Sequence, residues 1–139
     1  MNRISVDTNY FRPTKENQMT YYKGPKQQDT DLEKSKAHIL VQIIEYVPNS
    51  VLSKTIIKKN SGNVSVMSFD SDEGLTEKIS PFDSFAQIIE GKAEIVIDGI
   101  SNQLSTGQGI IIPAHRSNII RARERFKMIL TIIKCGYED

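Results

Sequence analysis

Short stretches of alternating apolar and polar residues recur about every 8 to 12 residues once the chain has passed residue 50. Residues 64–69 are interpreted as a period-two run, which is the pattern of a strand with one buried and one solvated face. Similar stretches, each short enough to be one strand, lie at residues 51–58, 85–89, 93–97, 103–105, 110–113, 117–122 and 126–134. No convincing long helix accompanies them. The pattern therefore predicts an all-β sandwich or closed barrel.

Turn-forming residues separate these stretches. The strongest signal is the Asp-Gly pair at residues 98–99, which lies between two alternating runs and predicts a two-residue hairpin turn. Residues 60–63 (Asn-Ser-Gly-Asn) predict another turn, because Asn and Gly tolerate positive φ. Gly91 and Lys92 are predicted to form a hairpin turn between the strands on either side. Residues 79–84 contain a proline, which favours an edge or a bulge over a central strand.

The first part of the chain lacks this pattern. Residues 1–37 are mostly polar, show no sustained period and predict an arm that precedes a barrel domain at residues 38–139. Aromatic residues interrupt the arm at Tyr10, Phe11, Tyr21 and Tyr22. Such residues indicate either docking on the barrel or on a second subunit, or else a loosely ordered tail. The β-branched run after residues 31–34 favours a strand, with a turn of helix at residues 42–46.

Composition narrows the class of protein. A chain of 139 residues is long enough for one domain with a real core. Its 18 basic and 17 acidic residues give no net field that would favour nucleic acid or an anionic membrane. The single cysteine, Cys135, excludes an internal disulfide and is interpreted as inert, because no activating partner is evident. Without an apolar run typical of a signal peptide or a membrane span, a cytoplasmic location is expected.

Two glycine-containing segments resemble the two sequence motifs of the cupin superfamily. Gly74 matches the glycine that opens the first motif, and residues 88–91 (Ile-Ile-Glu-Gly) match its close. Gly107 and Pro113 have the spacing of the second motif. The resemblance covers residues 69–133 and implies a double-stranded β-helix, or jelly-roll barrel. It also implies a homodimer, with which the apolar run at the end of that range is consistent.

The chain departs from the cupin pattern at the positions of the metal ligands. Where many cupins have three histidines and a glutamate, this sequence has Lys78, Ser80, Ser84 and Asn118. Divalent iron, manganese, nickel and zinc favour imidazole and carboxylate ligands, and a protonated lysine repels a cation. We therefore expect no metal cofactor and a barrel that binds or senses a small molecule rather than an enzyme.

The expected pocket consists of polar side chains from both motifs, namely Lys78, Ser80, Ser84, Gln87, His115 and Asn118, with apolar strand residues such as Ala86 and Ile88. Lys78 can hold an anionic ligand, act as a base, or simply pair with Glu77, Asp83 or Glu90. No base accompanies either serine, so a nucleophilic triad has no support.

Two alternatives remain open. One is a metalloenzyme, an isomerase or dioxygenase, with a divalent transition metal in a rearranged site around His115, Gln87 and Glu77. The other is a purely structural dimer with a filled barrel. The arginines at positions 116, 121, 123 and 125 form a local basic cluster. By period two, those at positions 121, 123 and 125 share one strand face and are interpreted as a solvated row, because no aromatic residues interleave with them as in a nucleic-acid patch.

Overall fold

The computed structural model describes residues 26–28 and 30–134, which form nine strands and one short 3-10 helix. The strands are β1 (Lys26–Gln28), β2 (Val51–Lys59), β3 (Gly62–Phe69), β4 (Gly74–Ile79), β5 (Asp83–Ile97), β6 (Ile100–Ser105), β7 (Gly109–Ile112), β8 (Ser117–Arg121) and β9 (Phe126–Ile133). The helix spans Leu40–Gln42. No helix in the described ranges is both long and apolar enough to cross a bilayer.

The strands form two sheets that share β5. The first sheet has the order β1-β2-β3-β9-β5-β7, and the second has the order β4-β8-β5-β6. All pairings are antiparallel except that of β1 with β2. This arrangement confirms the predicted all-β jelly-roll barrel. The Asp-Gly hairpin is also confirmed, because Asp98 and Gly99 join β5 to β6 with φ values of 49° and 81°.

The predicted hairpin turn at residues 91–92 is wrong. The two stretches on either side belong to one strand of 15 residues, whose first half pairs with β7 and β9 and whose second half pairs with β6 and β8. A register shift between Ile88 and Glu90 and a φ of 93° at Gly91 bend the strand from one sheet into the other. A glycine beside a period-two run thus marks a bend in the strand here, not its end.

The main core lies between the two sheets, and its centre is an aromatic stack at the bend. The Phe69 and Phe126 rings stack with centroids 4.4 Å apart, and Phe126 is the cross-strand partner of Gly91. The other buried apolar residues of this core come from both sheets: Met67, Ala86, Ile88, Ala93, Ile95, Leu104, Ile112, Ile120, Ala122, Met128 and Leu130. The bend end of the barrel is therefore filled by apolar side chains.

A second apolar cluster covers the outer face of the first sheet. Residues 39–47 cross this face and pack Ile44 against Leu52, Val66 and Ile129. The Lys127 ammonium donates a hydrogen bond to the Val41 carbonyl and helps to hold the segment in place. The strand predicted after residues 31–34 is therefore wrong, because this segment covers a sheet instead of extending it.

This cover also corrects the prediction for residues 64–69. Residues 65–69 are buried on both faces of the strand, not on one. Met67 and Phe69 face the core, while Val66 and Ser68 lie beneath the covering segment. The strand was predicted correctly, but the sequence pattern could not show that its outer face is covered. The aromatic residues of the arm and Cys135 lie outside the described residues.

Candidate binding site at the three-loop end

Three connecting segments meet at the end of the barrel opposite the bend: residues 80–82, 98–99 and 113–116. The His115 N–H donates to the Ser80 carbonyl (2.7 Å). The Asp98 carboxylate accepts hydrogen bonds from the Arg116 guanidinium (2.8 Å) and from the Ser117 N–H (3.2 Å). We call this region the three-loop end. Both ends of β5 lie here, because the strand bends at its middle.

Lys78 and Asn118 face each other across β4 and β8 at the three-loop end. Asn118 has the same strand parity as Ile120 and Ala122, which belong to the core, so its side chain points inward. Directly opposite residues in a sheet share a face, so Lys78 also points inward. Ile97, which packs against the core, is the partner of Asn118 on the other side. The sheet thus places a lysine, an amide and an apolar side chain in one row.

Asn118 is a buried amide that makes one of the four hydrogen bonds available to its side chain. The residue is 3% exposed. Its Nδ2 donates to the Lys78 carbonyl at 3.4 Å. No described residue donates to the buried Oδ1. A buried polar atom without a partner costs on the order of 1–3 kcal/mol, which makes this oxygen the most unusual polar atom at the three-loop end.

Lys78 lacks the carboxylate partner that its sequence context predicts. Glu77 hydrogen-bonds the Ser117 hydroxyl, Asp83 accepts the Ala114 N–H, and Glu90 accepts the Tyr46 hydroxyl at the far end of the barrel. None of these carboxylates forms an ion pair with Lys78, and neither does any other in the described ranges. The residue is open to solvent, yet surrounding protein atoms desolvate its ammonium and lower its pKa.

The two serines lie at the three-loop end with different surroundings. Ser84 shares the inner face with Ala86 and is half-buried, and no residue in the described part of the chain hydrogen-bonds its hydroxyl. The Ser80 hydroxyl instead accepts the Phe82 N–H at 3.1 Å. Ser84 is therefore available to a ligand, whereas Ser80 helps to shape the loop.

Gln87 and His115 do not join this inward-facing row. Gln87 is exposed on the outer face of the first sheet, because it alternates with the buried residues Ala86 and Ile88. His115 is exposed in the turn after β7, at a φ of 67°.

Ala86 and Ile88, the apolar residues expected in the pocket, lie in the filled core. The inner apolar residues nearest the three-loop end are instead Ile97, Ile112 and Ile132. Each is the cross-strand partner of Asn118 or Ser84 and therefore shares its face.

The inward-facing side chains at the three-loop end do not fit a divalent metal. Lys78 is a cation when protonated, and Ser84 and Asn118 offer neutral oxygens only. No group of three His, Cys, Asp or Glu side chains within the described ranges is arranged to hold a metal. The rearranged set is also not assembled, because Glu77 and Gln87 lie on the outer faces of different sheets.

The arginines make ion pairs and do not form one continuous row. Arg121 bonds the buried Glu94 carboxylate at 3.2 Å, with Arg123 at 4.0 Å, while Arg125 bonds Asp70 at 2.8 Å on another part of the surface. The hydrogen bond from Ser101, followed by the charges of the two arginines, lowers the pKa of Glu94. These guanidinium groups are paired with carboxylates. Lys78 differs from them because it faces inward and has no described carboxylate partner.

Solved structures of other proteins share this architecture. A protein of unknown function from Streptococcus pyogenes is 30% identical, with a TM-score of 0.72 over 76% of this chain and 92% of its own. A cupin superfamily protein from Desulfitobacterium hafniense is 27% identical, with a TM-score of 0.70 over 75% and 95%. A cupin 2 conserved barrel domain protein from Leptotrichia buccalis is 26% identical, with a TM-score of 0.66 over 68% and 46%.

No family model and no curated protein matches the sequence of this chain. The chain belongs to the cupin superfamily.

Proposed function

We propose that this protein is a metal-free cupin that binds or senses a small organic anion at the three-loop end of its barrel. The observation that supports the proposal most strongly is the pair formed by Lys78 and Asn118. A desolvated ammonium without a described carboxylate partner lies opposite a buried amide oxygen without a donor. A ligand that carries an anionic group supplies the charge that Lys78 lacks.

Desolvation of the Lys78 ammonium is what favours an anionic ligand. Surrounding an ammonium with protein atoms disfavours its charged form unless a counter-charge is near. A carboxylate from a ligand restores the charged form and makes a charge-assisted hydrogen bond, which is stronger than a neutral one. The Ser84 hydroxyl, also on the inner face at this end, can donate to the same ligand.

Replacing Lys78 with methionine is expected to weaken carboxylate binding by about 10- to 100-fold, because a hydrogen bond to a charged group is lost. The measurement is titration calorimetry with acetate, propionate and butyrate on the full chain. Lys92→Met is the matched control, because Lys92 is exposed near the bend of β5. Equal affinities in both variants, or no binding by the wild-type protein, would contradict the proposal.

The same calorimetric titration, repeated at several pH values, tests whether the charge of the Lys78 ammonium is needed for binding. Binding requires the protonated ammonium, so the affinity should be full below the pKa of Lys78 and fall as the pH rises through it. Because desolvation lowers this pKa, the fall should occur below the range of an ordinary lysine. An affinity that does not change with pH would show that Lys78 does not bind the anion.

The metalloenzyme alternative makes a different prediction that elemental analysis and thermal melts can test. A real site at a metal concentration of a hundredfold its dissociation constant would add about 2.7 kcal/mol of stability, a shift of several degrees. Stoichiometric iron, manganese, nickel or zinc with such a shift would replace the proposal of a metal-free barrel.

We also propose that two copies associate through the part of the outer face of the first sheet that no described segment covers. Phe85, Ile111 and Ile133 lie on this face and are 39%, 63% and 55% exposed. Large exposed apolar side chains on one face are typical of an interaction surface. This surface belongs to the same outer face that residues 39–47 cover elsewhere. The same interface would serve the alternative of a purely structural dimer.

Ile111→Lys is expected to raise the dimer dissociation constant by about tenfold or more, because it places a charge in an apolar interface. Sedimentation velocity over a range of concentrations measures the change. Ile100→Lys is the control, since Ile100 is equally exposed but lies in the hairpin between β5 and β6. A wild-type protein that stays monomeric, or an equal effect of both variants, would contradict this interface.

A further inference from the structure

We infer that the anion bound at the three-loop end is a small 2-hydroxycarboxylate, whose carboxylate pairs with Lys78 and whose hydroxyl donates to the Asn118 Oδ1. This inference rests on the proposed function and specifies its ligand. It follows from what the two side chains offer together: one supplies a positive donor, and the other supplies a neutral acceptor. A ligand that satisfies both must combine an anionic acceptor with a neutral donor.

The orientation of the Asn118 amide determines which of its atoms is available. Nδ2 already donates to the Lys78 carbonyl. Turning the amide over would place two oxygen atoms against each other, so Oδ1 is the atom that remains without a partner. An acceptor of this kind recognises an O–H or N–H group and does not recognise a simple carboxylate.

The sheet geometry places the two side chains that contact the ligand on neighbouring strands. Lys78 and Asn118 are directly opposite in the pairing of β4 with β8. Side chains in such positions start about 4.5–5.5 Å apart at Cβ. Because the lysine stem is flexible, the ammonium can reach back towards Asn118. A compact ligand with its donor on the carbon next to its carboxylate can then contact both side chains.

The charge of Lys78 selects between the two common donors at that carbon. An ammonium group, as in an amino acid, would lie beside a lysine that no described carboxylate neutralises. Like charges at this distance repel, and the repulsion is strongest where the surroundings are desolvated. A hydroxyl makes the same hydrogen bond without this cost, so the site should favour hydroxy acids over amino acids.

Binding must include a movement of side chains, because Oδ1 is itself enclosed. The neighbours of Asn118 on the inner face are Lys78, Ile97 and Ile120. The two isoleucines pack against the core, whereas Lys78 is exposed on a flexible four-carbon stem. We therefore expect the Lys78 side chain to be the one that moves when a ligand reaches the oxygen. The apolar neighbours suit a ligand with a short hydrocarbon tail.

The test compares lactate, propionate and alanine, which share a carbon skeleton and differ only in the group on the second carbon. Calorimetry on the wild-type protein is expected to show that lactate binds about two- to tenfold more tightly than propionate, the value of one neutral hydrogen bond. Alanine is expected to bind more weakly than propionate. In Asn118→Leu, which keeps the size of the side chain, lactate and propionate should bind equally.

Each outcome separates this inference from the proposed function. Propionate that binds as tightly as lactate to the wild-type protein, or alanine that binds most tightly, would overturn the hydroxy-acid inference and leave the anion site intact. Failure of all three to bind would overturn both. Asn118→Asp serves as a second variant, because its carboxylate should pair with Lys78 and abolish binding of lactate and propionate alike. If lactate still binds Asn118→Asp as tightly as the wild-type protein, Asn118 does not face the ligand.

Discussion

Replacing Gly91 with alanine is expected to lower the free energy of unfolding by about 2–5 kcal/mol, enough to unfold a marginally stable domain. Two costs add at this position. Gly91 has a φ of 93°, which side chains rarely adopt, and an added Cβ would lie 2.4 Å from the Arg125 carbonyl oxygen. That oxygen belongs to the backbone next to Phe126 and cannot move without disturbing the aromatic stack. Urea unfolding followed by circular dichroism measures the loss.

Gly107→Ala is the matched control for this prediction. Gly107 has nearly the same φ, 92°, but an added Cβ would meet no atom within 4 Å. The control therefore carries the backbone strain alone, about 1–2 kcal/mol. The difference between the two variants measures the close approach at the bend. If both lose the same free energy of unfolding, crowding at the bend of β5 contributes nothing to stability.

Gly91 also shows what the sequence could predict about this fold. The apolar periods located the strands of the barrel, and the Asp-Gly pair located its β5–β6 hairpin. Local patterns do not show whether a strand ends at a glycine or continues past it into a second sheet. That outcome depends on β6, β7, β8 and β9, which pair with the two halves of β5 and lie later in the chain.

The covering segment at residues 39–47 escaped prediction for a similar reason. Its β-branched residues favour a strand locally, but the apolar outer face formed by Leu52, Val66 and Ile129 binds it as a cover. Tertiary burial outweighs local propensity in such a case. The prediction of one solvated face for residues 64–69 failed with it, because the cover removes that face from water.

The candidate site was predicted in part. The motif spacing identified Lys78, Ser84 and Asn118, and the structure brings all three to the inner face of one barrel end. The same spacing could not assign Gln87 to the outer face, which follows from strand parity with Ala86. Nor could it show that Glu77, Asp83 and Glu90 are bonded elsewhere, because those partners are distant in sequence.

Replacing Phe126 with alanine is expected to lower the free energy of unfolding by about 3–5 kcal/mol. Phe126 and Phe69 are fully buried, and their rings stack with planes 10° apart. The loss combines the apolar area of the ring, the cavity that it leaves and the stacking with its neighbour. Urea unfolding measures it, and the half-exposed Phe85 provides the control, Phe85→Ala. Both variants are made in the Ile111→Lys background so that association does not contribute.

The position of Phe126 gives this prediction a second part. The stacked rings of Phe126 and Phe69 lie at the bend end of the core, away from the polar side chains of the three-loop end. Folded Phe126→Ala should therefore bind propionate as tightly as its background, since the ring lies at the opposite end of the barrel from Lys78 and Asn118. Calorimetry below the unfolding transition tests this. A large loss of affinity in the folded variant would show that the two ends are coupled, and a cost no larger than that of Phe85→Ala would contradict the role of the stack.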